Sequence, residues 1–394
     1  MKHLILFLFL GTLFGSLSAQ PLPIVDPADA GMDPGHLWRV DGLIHEAIKD
    51  KETPGAVLAI VRDGKIVYRK AYGMMRLEPS HRRMRENTIF DMASITKPVA
   101  TATALMILVD RGIIRLDDPV SHFIPGFMSY SEKDYFEDAR IIHLLTHSAG
   151  LPAYAPVDEL SKRFGRVSPD SLMNYFSTAT RITAPGNTFL YSGPSYITLQ
   201  MIIESITGES LHSFTQKNIF EPLGMINTTF MPGVDKLASI APTIKSEDGL
   251  ISGAVHDPLA NTLMGGISGN AGLFSTADDL AIFATMMMNE GVFNNTRILS
   301  PASVKKMTQE PVLGAYHGRG LGWDLNSNFS SNQGNLFGRN TYGHTGYTGT
   351  SIMIDPDTKT AVILLTNRVY PDDTGSVVRL RGLIANVVAA SIIN

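Results

Sequence analysis

Apolar and polar positions change period several times along this chain, and each change marks an element. After Pro34-Gly35, the residues Leu37, Trp38, Leu43, Ile44 and Ala47 recur at helical spacing, which predicts a helix from about His36 to Lys49. Two strand-like runs follow, Gly55 to Arg62 and Lys65 to Tyr72, joined by Asp63-Gly64. An Asp-Gly pair tolerates the positive φ angles of a tight turn, so a β-hairpin is expected here. From Ser94 to about Arg111 the apolar residues Val99, Ala100, Ala102, Leu105, Met106, Leu108 and Val109 predict a buried helix, with Gly112 placed to end it. Helical patterns recur from Ile141 to His147, Ser168 to Thr178 and Tyr196 to Thr207, separated by Pro and Gly loops. Near the other end, His344 to Ile354 and Thr360 to Thr366 flank the turn Asp355-Pro356-Asp357-Thr358 and predict a second hairpin, and Gly375 to Ile393 reads as a closing helix.

Strands therefore lie at both ends of the chain with helices between them. The economical arrangement is an α/β (α+β) fold, with an antiparallel sheet built from both chain ends, flanked by the terminal helices and carrying an all-helical inserted domain. On this reading residues 20–112 and 241–394 form the sheet domain and residues 113–240 the helical one. Residues 1–19 read as a signal peptide: a basic start at Lys2-His3, an apolar run from Leu4 to about Leu17, and a small-residue exit at Ser18-Ala19. A run of that length falls short of the ~20 residues of a membrane span. The expectation is a periplasmic or secreted protein, cleaved near Ala19, with no stable membrane span.

Composition narrows the chemistry. The chain has 394 residues, 44% of them hydrophobic and 18% charged, enough apolar material for a large core. Its formal net charge is −4, and charges are dispersed; the short cluster His81-Arg82-Arg83-Met84-Arg85 has no interleaved aromatics, so nothing points to nucleic acid. There is no cysteine, which removes disulfides, thiolate metal sites and cysteine nucleophiles. A nucleophile has to come from a hydroxyl, carboxylate, amine or imidazole.

Ser94-Ile95-Thr96-Lys97 opens the buried helix, and residues three apart share a helix face, so the Ser94 hydroxyl and the Lys97 amine are expected to be neighbours. A serine hydroxyl attacks once a base takes its proton, and a buried lysine is one such base. Unpaired N–H groups at a helix start stabilise the negative charge that develops. Pro98 is tolerated near a helix start, which supports placing Ser94 there. The tetrad alone leaves open a second reading, in which Ser94 caps the helix and Lys97 is a surface residue. The histidines of the middle region read as structural. His143 and His147 have the i,i+4 spacing of a helical zinc site but lack its glutamate, so no metal and no cofactor are expected. His256-Asp257 reads as a buried polar pair that organises a loop, with a place at the border of the cleft as the alternative, and no G-x-S-x-G nucleophile elbow occurs.

Three further stretches add to Ser94 and Lys97. They are Tyr191-Ser192-Gly193, the run Tyr342-Gly343-His344-Thr345-Gly346-Tyr347-Thr348-Gly349-Thr350, and Leu144-Leu145-Thr146-His147-Ser148-Ala149-Gly150-Leu151-Pro152. Together they resemble the serine β-lactamase and penicillin-binding-protein superfamily, most closely its β-lactamase-like esterases and DD-peptidase relatives near the class C enzymes. The resemblance implies Ser94 as the acylated nucleophile, Lys97 as its partner and Tyr191 as the residue that relays the proton. It implies an oxyanion hole from the backbone N–H groups of Ser94 and Tyr347, with His344, Thr345, Gly346 and Gly193 contacting substrate.

Two positions depart from that pattern. Gly193 stands where the family usually has an Asn or Asp that contacts a substrate amide, and His344 where β-lactamases and DD-peptidases usually carry a lysine. Loss of that charge shifts the expectation toward an esterase or acyltransferase working on a small acyl substrate through an acyl-enzyme. The alternatives are a low-molecular-weight penicillin-binding protein, that is a D-alanyl-D-alanine peptidase acting on a peptidoglycan-derived peptide, a weak β-lactamase, or a silent peptidoglycan-binding or sensor module. The cleft walls are expected from the long loops Met74 to Arg85 and Leu313 to Asn340.

Overall fold

The computed structural model describes residues 21–133, 135–246, 249–311, 318–325, 327, 329 and 332–393; the expected signal peptide and the loop stretch 312–317 lie outside them. Gly55–Arg62 (β1) and Lys65–Arg76 (β2) form the expected hairpin, and both turn residues take positive φ, 49° at Asp63 and 72° at Gly64. With Arg82–Arg83 (β3), Tyr342–Thr345 (β4), Ser351–Asp355 (β5) and Thr360–Thr366 (β6) they make one antiparallel sheet in the order β4-β5-β6-β1-β2-β3. The two ends of the chain meet along β1 and β6, with Ala56 opposite Thr366 and Arg62 opposite Thr360.

These two strands are apolar at nearly every position because both faces of the sheet are covered. Ala56, Leu58 and Ile60 pack with Val40, Ile44 and Ala47 of Arg39–Lys49 (α1) and with Leu380, Ile384 and Val388 of Val378–Ser391 (α5). Val57, Ala59 and Val61 face the larger core, which contains Leu105 and Leu108 of Thr103–Asp110 (α2) and Leu280, Phe283 and Ala284 of Ala277–Met288 (α4). Alternation along one strand thus supplies two cores.

Several elements differ from the sequence expectation, each for a local reason. The first helix is interrupted at Trp38, between Pro34–Leu37 and α1. The expected single strand from His344 to Ile354 is two antiparallel strands, β4 and β5, because Gly346 to Gly349 turn the chain; Gly349 has φ 110°, a conformation L side chains rarely adopt. The helix expected from Ser94 starts as a tight 3₁₀ turn at Ala93–Ile95 and widens through Lys97–Ala102 before becoming α-helical in α2. Pro98 supplies no N–H, which suits a wide turn, and its carbonyl accepts from Thr103 Oγ1 at 2.8 Å. The mostly helical region between the sheet segments also contains a small ribbon, Tyr130–Glu132 with Tyr135–Glu137, and the strand Thr229–Phe230. That strand joins Leu273–Ser275 and Phe90–Asp91 in a three-stranded sheet. The stretch Ala93–Asp110 is long and apolar enough to cross a membrane, and it is buried in the core of this fold.

Candidate active site

The small sheet positions Ser94. Met92 N–H donates to Leu273 O at 2.8 Å, and the fully buried Asp91 carboxylate accepts from Ala93 N–H at 2.8 Å and from His256 N–H at 2.7 Å. Burial pushes the Asp91 carboxyl up to about 6, opposed by those two N–H donors. Ala93 takes φ 46°, the left-handed region that a non-glycine residue seldom enters, and so turns the chain sharply before Ser94. Thr96 Oγ1 ties the turn down, donating to Ala93 O at 2.6 Å and accepting from Leu273 N–H at 3.1 Å.

Ser94 caps no backbone group at this turn; its Oγ accepts from Lys97 Nζ at 3.0 Å. Lys97 is only 1% exposed and also donates to Asn270 O at 2.9 Å, so it is a buried residue held on two acceptors rather than a surface lysine. Tyr191 lies beside it, its ring centroid 4.8 Å from Nζ. Just after Tyr191, Ser192 Oγ accepts from Ser195 N–H and starts Gly193–Thr207 (α3) three residues earlier than the apolar pattern suggested.

His147 is part of this assembly. Its ring packs against Tyr191 with centroids 4.3 Å apart, and its Nδ1 accepts from Ser192 N–H at 3.0 Å. Burial, then the neighbouring cations Arg319 and Lys97, hold the imidazole well below the usual histidine range. It is neutral, with its proton on Nε2. The other histidine of the pair, His143, uses Nδ1 to accept from Arg140 N–H at 3.1 Å, so the two rings serve different segments.

His344 is on β4 and is likewise held well below its ordinary pKa, first by burial and then by Arg319 and Lys97. Its Nδ1 meets Thr345 O at 2.9 Å, which leaves Nε2 to accept from Arg319 Nη2 at 3.4 Å. Arg319 has no counterpart among the residues expected from the sequence. It is 1% exposed, pairs with Asp324 at 2.9 Å, and stands with its guanidinium 5.8 Å from the Tyr191 ring centroid. The positive charge that His344 does not carry is therefore supplied from the long loop between Leu313 and Asn340. Nothing in the local sequence around Arg319 marks it, since its partner in the cleft, His344, is 25 residues away in the chain.

The turn between β4 and β5 closes the site. Thr348 Oγ1 donates to Asp91 O at 2.8 Å and Thr350 Oγ1 to Met92 O at 3.1 Å, locking the turn onto the segment before Ser94. A Cβ at Gly346 would lie 2.5 Å from Met92 O, so only glycine allows this approach. Among the described residues, neither Ser94 N–H nor Tyr347 N–H has an acceptor within the protein. Tyr347 stacks on His256 with centroids 5.5 Å apart, which sets His256 against a residue of the cavity wall, while Asp257 caps the helix Pro258–Thr262.

Ser94, Tyr191, His344, Thr345, Gly346 and Tyr347 line one cavity of about 560 Å³, together with Arg319. Lys97 lies behind Ser94, and Gly193 begins α3 beside the Asn270 side chain, whose Nδ2 would sit 3.4 Å from a Cβ at position 193. A hydroxyl on a buried amine, a tyrosine beside that amine and the unpaired N–H groups of Ser94 and Tyr347 suit acyl transfer through a serine ester.

A family model described as Beta-lactamase matches residues 40–386. A protein of Escherichia coli O157:H7 named "Putative D-alanyl-D-alanine carboxypeptidase" is 33% identical over 399 residues, covering 93% of this chain and 91% of that protein. Among solved structures, "EstCE1, a hydrolase with promiscuous acyltransferase activity" superposes with a TM-score of 0.72 at 24% identity, covering 90% of this chain and 99% of its own, a likeness of fold. The octameric penicillin-binding protein homologue from Pyrococcus abyssi superposes with a TM-score of 0.66 at 26% identity, covering 88% of this chain and 76% of its own.

Proposed function

Since this chain belongs to the beta-lactamase family and is a serine hydrolase, we propose that it acylates Ser94 with peptides or esters that end in a free carboxylate beside the scissile bond, and passes the acyl group to water. D-alanyl-D-alanine ends are the leading substrates. The observation that carries this reading is Arg319, a buried guanidinium in the same cavity as Ser94. A cation in a low-dielectric cleft is costly unless it meets an anion, and Asp324 occupies only one side of it. Its Nε has no partner among the described residues. A substrate carboxylate fits that chemistry, and it agrees with the carboxypeptidase name of the 33% identical relative.

The chemistry follows from the positions of the groups. Ser94 Oγ adds to the carbonyl carbon as its proton passes to the Lys97–Tyr191 pair, in the state where the pair carries one proton fewer than an ammonium and a phenol together; Lys97 Nζ is 3.0 Å from the hydroxyl. The carbonyl oxygen becomes an oxyanion between Ser94 N–H and Tyr347 N–H. The C–N or C–O bond then breaks, and the leaving group takes the proton through Lys97 and Tyr191. Water adds to the resulting ester, loses its proton to the same pair and releases the acid, restoring Ser94.

A specific observation favours a second reading, ester hydrolysis or transfer. Gly193 offers no side-chain amide to the substrate, and Tyr154, Phe329 and Tyr347 give the cavity an aromatic mouth that suits an apolar acyl group. Transfer to an alcohol is one form of the acyltransferase activity named for EstCE1. The leader-like first 19 residues support work outside the cytoplasm.

Intact-mass spectrometry after exposure to an aryl ester, a penicillin and an acyl-D-Ala-D-Ala peptide tests these readings together, with free D-alanine measured in parallel. Acyl adducts on the Ser94 peptide, their loss in Ser94→Ala and release of D-alanine are expected. Adducts that persist in the variant would move the nucleophile elsewhere. Rapid ester turnover with no D-alanine release would replace the peptidase reading with the esterase one.

A further inference from the structure

The peptide group that joins Gly346 to Tyr347 has two ends. Its N–H has no acceptor among the described residues, and Tyr347 lines the same cavity as Ser94. Its carbonyl, Gly346 O, points the other way and accepts from Arg381 Nη2 at 3.1 Å. The same nitrogen also donates to Thr350 O at 3.0 Å, so one guanidinium spans the turn between β4 and β5. Arg381 sits on α5 and is only 7% exposed.

Hydrogen-bond satisfaction does not account for this arginine. Gly346 O already accepts from Gly349 N–H at 3.1 Å, and Thr350 O from Gly346 N–H at 2.8 Å. Both carbonyls would be paired without any side chain. A buried cation loses its hydration, and an apolar residue would fill the same space without that penalty. Burial lowers the Arg381 guanidinium to about 10, which still leaves it charged at neutral pH. Neighbouring Arg368 treats the next carbonyl in the same way, its Nε donating to Tyr347 O at 2.8 Å. The two carbonyls that flank Tyr347 are thus each held by a guanidinium.

A peptide plane is rigid, so fixing the carbonyl fixes the direction of the N–H at its other end. A cation on the carbonyl oxygen also draws electron density through the amide and strengthens the N–H as a donor, as in any polarised chain of hydrogen bonds. We propose that Arg381 is a positioning residue for the oxyanion hole, orienting and polarising the Gly346–Tyr347 peptide so that its N–H stabilises the tetrahedral oxyanion more than the bound substrate. This rests on the reading of Ser94 as the acylated residue and Tyr347 N–H as an oxyanion donor.

The test compares wild type, Arg381→Met and Arg381→Lys with one activated ester substrate and with phenylboronic acid, which forms a tetrahedral anionic adduct on a serine. Removing an oxyanion donor outright costs about 10²–10³ in kcat, so weakening one through its peptide is expected to cost about ten- to a hundredfold. KM should change little in Arg381→Met, and the inhibition constant for the boronic acid should rise by the same factor as kcat falls. Arg381→Lys, which keeps the charge but loses the fork, should recover part of both. Melting temperatures identify variants that fail to fold, and the lysine variant then carries the comparison alone. An unchanged kcat, a loss confined to KM, or a fall in kcat with unaltered boronate affinity would each overturn the inference. If wild type forms no boronate adduct on Ser94, the site reading itself fails and this inference with it; if wild type forms the adduct and the variants match it, only the role of Arg381 is refuted.

Discussion

Replacing Arg319 by Met and Asp324 by Asn in one variant isolates the carboxylate contact from the stability of the fold. Arg319 alone cannot be removed cleanly. It is 1% exposed and pairs with a buried Asp324 at 2.9 Å, and an unpartnered buried carboxylate costs about 3–5 kcal/mol. The Asp324→Asn change removes that orphaned charge while its Oδ1 can still accept from Ser327 N–H, which now reaches Asp324 Oδ1 at 3.1 Å. A hydrogen bond to a charged group is worth about 1.5–3 kcal/mol. Expressed in the transition state, that is roughly ten- to 150-fold in kcat/KM.

The assay uses matched substrates, an acyl-D-Ala-D-Ala peptide against its C-terminal amide, and an acyl ester of D-lactate against the methyl ester of that lactate. Wild type should prefer the free carboxylate in both pairs, and the double variant should bring the ratio close to one by slowing only the carboxylate member. A wild type that does not discriminate, or a variant that slows both members equally, would refute the assignment of Arg319 as the anion contact. The ester reading would then stand ahead of the peptidase one.

Three other outcomes are expected. Lys97→Met should keep the fold, since the side chain is buried beside the rings of Tyr191 and Tyr196 and a methionine fills similar space, yet slow acylation by about 10²–10⁴-fold in a stopped-flow burst with an aryl ester; near-normal acylation would give the base role to another group. Gly346→Ala should lower stability by about 1–3 kcal/mol and depress kcat, because its Cβ would press on Met92 O, whereas Gly42→Ala in α1, with nothing within 4 Å of its Cβ, should stabilise by about 0.5–1 kcal/mol. Denaturant titration of both variants reads these opposite signs. His147→Asn should flatten the acid side of the stability profile. The folded imidazole is neutral and the unfolded one titrates near 6.5, so the unfolded state binds the extra proton and wild-type stability falls as pH drops through that value. Between pH 7.5 and 5.5 the share of that loss due to His147 is about 1.4 kcal/mol, and the variant should lose that much less than wild type, with the share of His344 remaining; an identical profile in the variant would mean that His147 is not held neutral.

The chain by itself determined the central hairpin, because Asp63-Gly64 is the kind of pair that a tight turn requires, and the runs on either side of it have the residue pattern of strands. It determined the closing helix and the helices of the middle region through their periodicity. It also placed Ser94 next to Lys97, since three residues on a helical turn bring the two side chains together whatever the rest of the fold does. Relations of this kind are local, and local spacing carries them.

Tertiary structure alone decided the rest. The split between β4 and β5 depends on how close the turn at Gly346 comes to Met92, a contact between segments from opposite ends of the chain. The exchange of charge at His344 for Arg319 depends on which side chain of a long loop folds back over β4. His147 reads as half of a metal-like pair in the sequence, but it becomes the ring that supports Tyr191 once α3 brings Ser192 N–H to its Nδ1. Arg381 shows the same limit, because a guanidinium acts on the Gly346–Tyr347 peptide only when the two ends of the sheet have closed and α5 has packed across them. Charge and hydrogen bonding act through space, and the spacing of residues along a chain specifies distance only over a few residues.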